Sequence, residues 1–163
     1  MVGELHDRTL LERLPHLEVD ATTDELVVVP SSHKPKGKYE ILPSSISGAG
    51  LGVFSRRNLK LQADLVFILP IEGKVREITY NSDRCTAVFA HDPNNILQTP
   101  GHTANPYKMV RVEMTGVASK INSVSNRAVR HSANVAIDKC GWIRLERFVS
   151  RGEELLADYA EIL

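Results

Sequence analysis

A mainly β fold with short helices is the class this sequence predicts. Several short runs either alternate in polarity or are rich in β-branched residues, and each is closed by proline, glycine or asparagine, the pattern of brief strands joined by turns. Helical patterns are confined to residues 4–14 and 116–121. At 163 residues the chain is long enough for one domain with a real core and too short for two ordinary ones.

Taken in order, Leu5, Leu10, Leu11 and Leu14 stand among charged residues as a short amphipathic helix that Pro15 stops, predicted to pack on the domain or on a partner. Leu26–Val29 is β-branched, bounded by Pro30, and suits a strand. The polar, basic stretch from Ser31 to Lys38, with Pro35 and Gly37, reads as a loop and a boundary, so residues 1–37 form an N-terminal extension and 38–163 the main domain. Tyr39–Leu42 and Val53–Phe54 read as strands on either side of Gly48-Ala49-Gly50-Leu51-Gly52. Leu65–Leu69 is a continuous apolar run of strand length ended by Pro70, hence a central core strand.

Periodicity is lost across residues 79–107, where Asn81, Asp83, Asp92-Pro93, Pro100-Gly101 and Asn105-Pro106 are turn formers around short segments such as Val88-Phe89. This is read as a variable insert, with Tyr80, His91, His102 and Tyr107 as candidate peptide contacts against the alternative of a merely solvated loop. Met109, Arg111 and Glu113 then alternate with Val110, Val112 and Met114 as a strand, and Gly116–Ile121 suits one helical turn. Val135–Asp138, a turn at Lys139-Cys140-Gly141, and Trp142-Ile143 make a hairpin. Ile143–Phe148 continues with strand alternation, Arg151-Gly152 supplies a turn, and Leu155-Leu156 is a second apolar segment.

Composition narrows the function classes. Twenty basic and twenty acidic side chains cancel, so no global field draws the chain to nucleic acid or to an anionic membrane, and direct binding to either is not predicted. No apolar run approaches a membrane span, and the first residues are acidic and polar where a secretory signal would be basic and then apolar, so the chain reads as soluble and intracellular. Cys85 and Cys140 are far apart and read as buried free thiols. The six histidines include no closely spaced pair, so no metal site is predicted.

Two features carry chemical interest. The alternating glycines of residues 48–52 remove Cβ atoms where a ligand or another backbone segment must come close; a glycine-rich hairpin turn is the plainer alternative. No helix pattern follows, which disfavours a dinucleotide-binding loop. Tyr159, at the end of the last apolar segment, carries a phenol able to hydrogen-bond, to orient a nucleophile or to cover an apolar wall, with packing as its alternative role.

Four segments in order resemble the SET-domain protein lysine methyltransferases: Ser47-Gly48-Ala49-Gly50-Leu51-Gly52-Val53-Phe54-Ser55 is similar to the opening Gly-x-Gly motif, Ile71-Glu72-Gly73-Lys74-Val75 to the next short strand, Ile121-Asn122-Ser123 through Asn134-Val135 to the Asn-His-Ser-Cys segment, and Gly152-Glu153-Glu154-Leu155-Leu156-Ala157-Asp158-Tyr159 to the closing motif. Together they cover roughly residues 38–159. The resemblance implies a SET-like (β-clip) arrangement of small sheets around a threaded C-terminal segment. It also implies S-adenosylmethionine as cofactor, bound at Gly50, Leu51, Gly52, Asn122 and Ser123, and Tyr159 as the catalytic tyrosine. The implied substrate is a protein or peptide lysine, with a histone tail as candidate, and a histone methyltransferase would be nuclear and act on chromatin.

The sequence departs from the family at three places. Pro70 and Ile71 stand where an acidic residue and a tyrosine are usual, Ser123 replaces the histidine, and only Ala160-Glu161-Ile162-Leu163 follow the closing motif where a cysteine-rich segment or lid helix often continues. Asp158 and Glu154 are expected to hold the turn together, since a charged carboxylate beside the lysine amine would favour its unreactive ammonium form. Two rival readings follow: a SET-like binding or scaffold module with a weak or inactive cofactor site, and an unrelated β-rich structural domain.

Overall fold

The structure, a computed structural model, describes residues 14–30, 38–61, 67–76, 85–91, 107–124 and 133–159, without the side chains of residues 85, 89, 91, 107 and 108. It is mainly β, in several small sheets, with one short 3-10 helix at Val117–Lys120 among the described residues. Two compact units are formed, one from described residues within Met1–His33, Ile71–Thr115 and Lys139–Gly141, the other from those within Lys34–Pro70, Gly116–Asp138 and Trp142–Leu163.

The first unit is a closed barrel in the order β1 (His16–Val19), β2 (Leu26–Val29), β6 (Glu72–Arg76), β8 (Tyr107–Thr115) and β7 (Cys85–His91). Its longest wall is the antiparallel β7–β8 pair, in register from Cys85 opposite Glu113 to His91 opposite Tyr107. Period-2 alternation decides which side chains fill it: Thr86, Val88 and Ala90 on β7 and Val110 and Val112 on β8 are buried, whereas Met109 is 46% exposed. Outside, Lys74 pairs with Glu25 at 3.1 Å and Arg76 with Glu113 at 2.8 Å; such half-exposed pairs contribute about 0–1 kcal/mol each.

Two of these strands escape the sequence reading. β7 falls inside the expected insert, where flanking turn formers mask its Cys-Thr-Ala-Val-Phe-Ala-His alternation, and β1 follows immediately on Pro15. His91 and Tyr107 are thus backbone partners at one end of the β7–β8 wall, not residues of an irregular loop. The expected helix lies outside the described residues except for Leu14, which is fully buried at a bend. Tyr80, His102, most of Ser31–Lys38 and residues 160–163 also lie outside them.

The second unit holds three small sheets. β10 (Val135–Asp138), β11 (Trp142–Leu145) and β5 (Phe67–Pro70) form an antiparallel sheet whose pairs Val135–Leu145 and Ile137–Ile143 are buried, each such side chain contributing about 1.5–3 kcal/mol. Phe67 lies against Trp142 with ring centroids 6.2 Å apart. The strand expected to run to Phe148 ends at Leu145, with one further bond in the same register from the Glu146 N–H to the Asn134 carbonyl (2.9 Å); Phe148 is exposed, and Val149 re-enters the core by pairing with Leu59. β3 (Tyr39–Pro43) pairs with β4 (Leu51–Ser55), and β9 (Asn122–Ser123) pairs in parallel with β12 (Leu156–Ala157).

Candidate functional site

The parallel pairing of β9 with β12 organises the site. Leu156 lies opposite Asn122 and Ala157 opposite Ser123, and the Val124 N–H extends the ladder to the Ala157 carbonyl at 2.9 Å. On the far side of β12, Asn134 is 1% exposed and is consumed by the same segment. Its Nδ2 donates to the Glu154 carbonyl (2.8 Å) and to Glu153 Oε2 (3.0 Å), its Oδ1 accepts from the Leu156 N–H (2.8 Å), and its own N–H donates to the Leu156 carbonyl (2.9 Å). One asparagine side chain therefore does for β12 what a neighbouring strand would do, which is how a two-residue strand can persist in the interior.

Just before β12, the run Gly152–Leu155 lies along β4. The Leu155 N–H donates to the Val53 carbonyl (2.8 Å), Ser55 N–H to the Glu153 carbonyl (3.1 Å) and Gly152 N–H to the Ser55 carbonyl (2.8 Å). The closing stretch thus pairs first with β4 and then with β9, and Asn134 bonds the opposite edge of β12.

These ladders bring most of the expected residues together. Asn122 donates through Nδ2 to the Leu51 carbonyl (2.9 Å) and to Glu154 Oε2 (3.2 Å). Ser123 Oγ accepts from the Tyr159 N–H (3.1 Å), and the Tyr159 phenol donates to the carbonyl of Ile121, the residue before Asn122. Burial pushes the Tyr159 phenol up to about 12, so at neutral pH it is a fixed donor whose oxygen keeps lone pairs to accept with. Tyr39 on β3 is held in the same way: its phenol donates to the Ile68 carbonyl (3.1 Å), and burial, only partly offset by Arg57, raises it to about 12.

The two glycines part company. Gly50, in the left-handed region at φ 77°, accepts the Ser44 N–H (2.7 Å) that closes the loop between β3 and β4, and a Cβ there would meet nothing within 4 Å. Gly52 is buried, and the close approach it permits is to the protein itself: a Cβ would lie 3.3 Å from Asn122 Nδ2, 2.9 Å from the Glu154 carboxyl carbon and closer still to Glu154 Oε2. Open space therefore lies beside Gly50, whereas Gly52 makes room for the Glu154 carboxylate and the Asn122 amide.

Glu154 is the residue whose full role the sequence concealed. It is 5% exposed, and its carboxylate gathers donors from a loop more than a hundred residues earlier in the chain: Ser44 Oγ on Oε2 (2.8 Å), and Ser45 N–H (2.8 Å) and Oγ (2.6 Å) on Oε1, in addition to Asn122. Burial pushes this carboxyl up, but the hydrogen bonds from Ser45, Ser44 and Asn122 together outweigh it and hold the group below its ordinary value. Glu153 behaves alike, with burial opposed by Ser150, Asn134 and Arg147. The expected turn-holding role of Glu154 is real but longer in range, since what it holds is the Ser44–Gly50 loop. Signals for it existed only in the Ser44-Ser45 pair, whose partner no local pattern indicates.

At the positions where the sequence departs from the SET pattern, Pro70 lies opposite Trp142 on the β5 edge, and Ile71 is fully buried with its N–H on the Gly141 carbonyl (2.9 Å). Among the described residues no group of three or more histidine, cysteine, aspartate or glutamate side chains is placed to hold a metal ion, and Cys140 is buried and in no disulfide. No helix among them is long and apolar enough to cross a membrane. No protein-family model matches the chain, and no curated protein matches it significantly in sequence.

Proposed function

We propose that this chain is a SET-type protein lysine methyltransferase using S-adenosylmethionine, with a lysine on a protein, such as a histone tail in chromatin, as substrate. The observation that carries the reading is the β9–β12 pair: segments more than thirty residues apart lie side by side, so that Tyr159, Asn122 and the Leu51 carbonyl form one continuous chain of contacts. The SET-like arrangement, with a C-terminal segment threaded beside the asparagine segment, accounts for this contact order more economically than an unrelated β domain.

The donor set fits the cofactor. The side-chain group it offers is an oxygen, the Oδ1 of Asn122, which suits a ligand carrying cationic sulfonium and ammonium groups. Backbone at Gly50 and Leu51 is exposed beside it, and Leu51 is 51% exposed. In this reading Gly50, Leu51 and Asn122 hold the cofactor, whose contribution when bound is a methyl group activated by positive sulfur. Ser123 contributes through the backbone of β9, its hydroxyl being engaged by the Tyr159 N–H.

The chain's own residues then have to orient an uncharged amine and keep water from it. Tyr159 is suited to this because its proton is committed to the Ile121 carbonyl, leaving its oxygen to accept from the amine. Glu154 and Glu153 stay ionised, and their oxygens are turned to donors within the protein, Ser45 and Asn122 for Glu154 and Arg147 for Glu153, and not to the amine.

Calorimetric titration with S-adenosylmethionine, followed by labelled methyl transfer to lysine peptides, tests the reading. Heat, a thermal shift and transfer are expected; no heat and no shift at millimolar cofactor would refute it. The apolar pair Pro70-Ile71 favours one second reading, a SET-like module that binds peptide without catalysis, which peptide binding in the absence of cofactor binding would select.

A further inference from the structure

The carboxylate of Glu154 joins three stretches of chain that share no sheet: the Ser44–Gly50 loop, the closing run before β12, and Asn122 on β9. Its two oxygens divide the work. Oε1 takes both donors of Ser45, and Oε2 takes Ser44 and Asn122. An amide nitrogen has two hydrogens, and those of Asn122 go to the Leu51 carbonyl and to Glu154 Oε2. With both spent, the amide plane is fixed and its oxygen is what it can present to a ligand. Gly52 is what lets this happen, because any side chain there would occupy the space of the carboxylate.

We infer that Glu154 is a positioning residue: anchored by Ser44 and Ser45, it locks the Asn122 amide so that Asn122 offers an acceptor oxygen, and not a donor, to the cofactor. This rests on the methyltransferase reading for the identity of the ligand, but the locking itself does not. Charge makes the arrangement directional. A carboxylate accepts and never donates, so the amide cannot flip without placing its oxygen against Oε2. In Glu154→Gln the side chain keeps its shape and can present an NH2 group at that position, removing the acceptor that the Asn122 amide needs.

Two readouts separate the locking from the ligand. The first is the pair of Asn122 side-chain amide proton signals in a nitrogen-15 correlation spectrum of the full chain: in the parent protein the proton bonded to Glu154 is expected to be shifted downfield and slow to exchange with solvent, and in Glu154→Gln that signal should move upfield and exchange faster. The second is calorimetric affinity for S-adenosylmethionine, expected to fall by at least about tenfold in Glu154→Gln, the scale of one lost charge-assisted hydrogen bond. Val149→Ala, which opens a cavity at the Leu59 bridge and removes none of the hydrogen bonds of Glu154 or Asn122, serves as a destabilised control and should bind within about twofold of the parent. If Glu154→Gln does not fold, Glu154→Asp replaces it, its shorter carboxylate being unable to keep Ser45 and Asn122 together.

Unchanged Asn122 signals in the glutamate variant would overturn the inference, as would an equal loss of affinity in Val149→Ala. A parent protein that takes up no cofactor would end the methyltransferase reading, while the Asn122 signals would still decide whether Glu154 locks the amide.

Discussion

Substituting Gly52 by alanine makes a sharp test of the site's construction, because its backbone is not in the left-handed region and the whole effect must come from the added methyl group. That methyl would fall 2.9 Å from the Glu154 carboxyl carbon and closer to Oε2, well inside contact distance. The far end of a glutamate is usually free to swing away. Here it is held by Ser44, by both donors of Ser45 and by Asn122.

Moving Oε2 aside forfeits the Ser44 and Asn122 bonds, each to a charged acceptor and worth about 1.5–3 kcal/mol, part of which returns if the carboxylate re-pairs. Overpacking alone costs about 1–3 kcal/mol, so a net destabilisation of about 2–4 kcal/mol is expected. The comparison is Gly50→Ala, where space is open and only the positive φ of 77° is penalised, at about 1–2 kcal/mol. Denaturant unfolding of both variants, and of Gly52→Ala combined with Glu154→Ala, measures the difference. In the double variant the clash is gone, so its loss should fall short of the sum of the two single losses by more than about 1 kcal/mol. Gly52→Ala no worse than Gly50→Ala, or strict additivity with Glu154→Ala, would refute the reasoning.

Asn134→Ala should cost about 2–4 kcal/mol in the same unfolding assay, since it strands the buried Leu156 N–H and removes a donor from the Glu154 carbonyl; a loss under about 1 kcal/mol would mean that water or relaxation replaces it. Acid should destabilise the fold through Glu153 and Glu154. Their folded-state values are lowered, so the stability they contribute is complete above the ordinary glutamate value near 4.5 and is lost as pH falls below it. The stability of Glu154→Gln should therefore fall less steeply than the parent's as pH drops through that window, and parallel curves of stability against pH would count against the assignment. Tyr159→Phe should lower methyl transfer while leaving cofactor affinity nearly unchanged, and an equal loss of both would contradict the role given to the phenol.

Much of the strand content was legible because it is written locally. Leu26–Val29, Tyr39–Leu42, Met109–Met114 and the Val135–Ile143 hairpin each carry their own alternation or turn chemistry, and each is a strand. What escaped is what is decided at a distance. β9 and β12 are two residues each and exist because they find one another, so no window of sequence contains their period. Residue identity at Asn122 and Tyr159 was readable by likeness, whereas the partners that fix them, Leu51 through its carbonyl, Ile121 through its carbonyl and Glu154 through its side chain, act mainly by backbone geometry that leaves no mark in residue type. Gly52 could be read as a place of close approach, but nothing local in the sequence indicates that the Glu154 side chain is what approaches it.

The barrel's seam has a mechanical meaning. Among the described residues β1 meets β7 at a single parallel pair, His16 with His91, while the wall between β7 and β8 is seven pairs long. A cylinder stitched so unevenly has a preferred line along which to part: breathing would open that seam first and leave β1, β2, β6, β8 and β7 as a curled ribbon, its inner apolar face, Val88 and Val112 included, turned towards water.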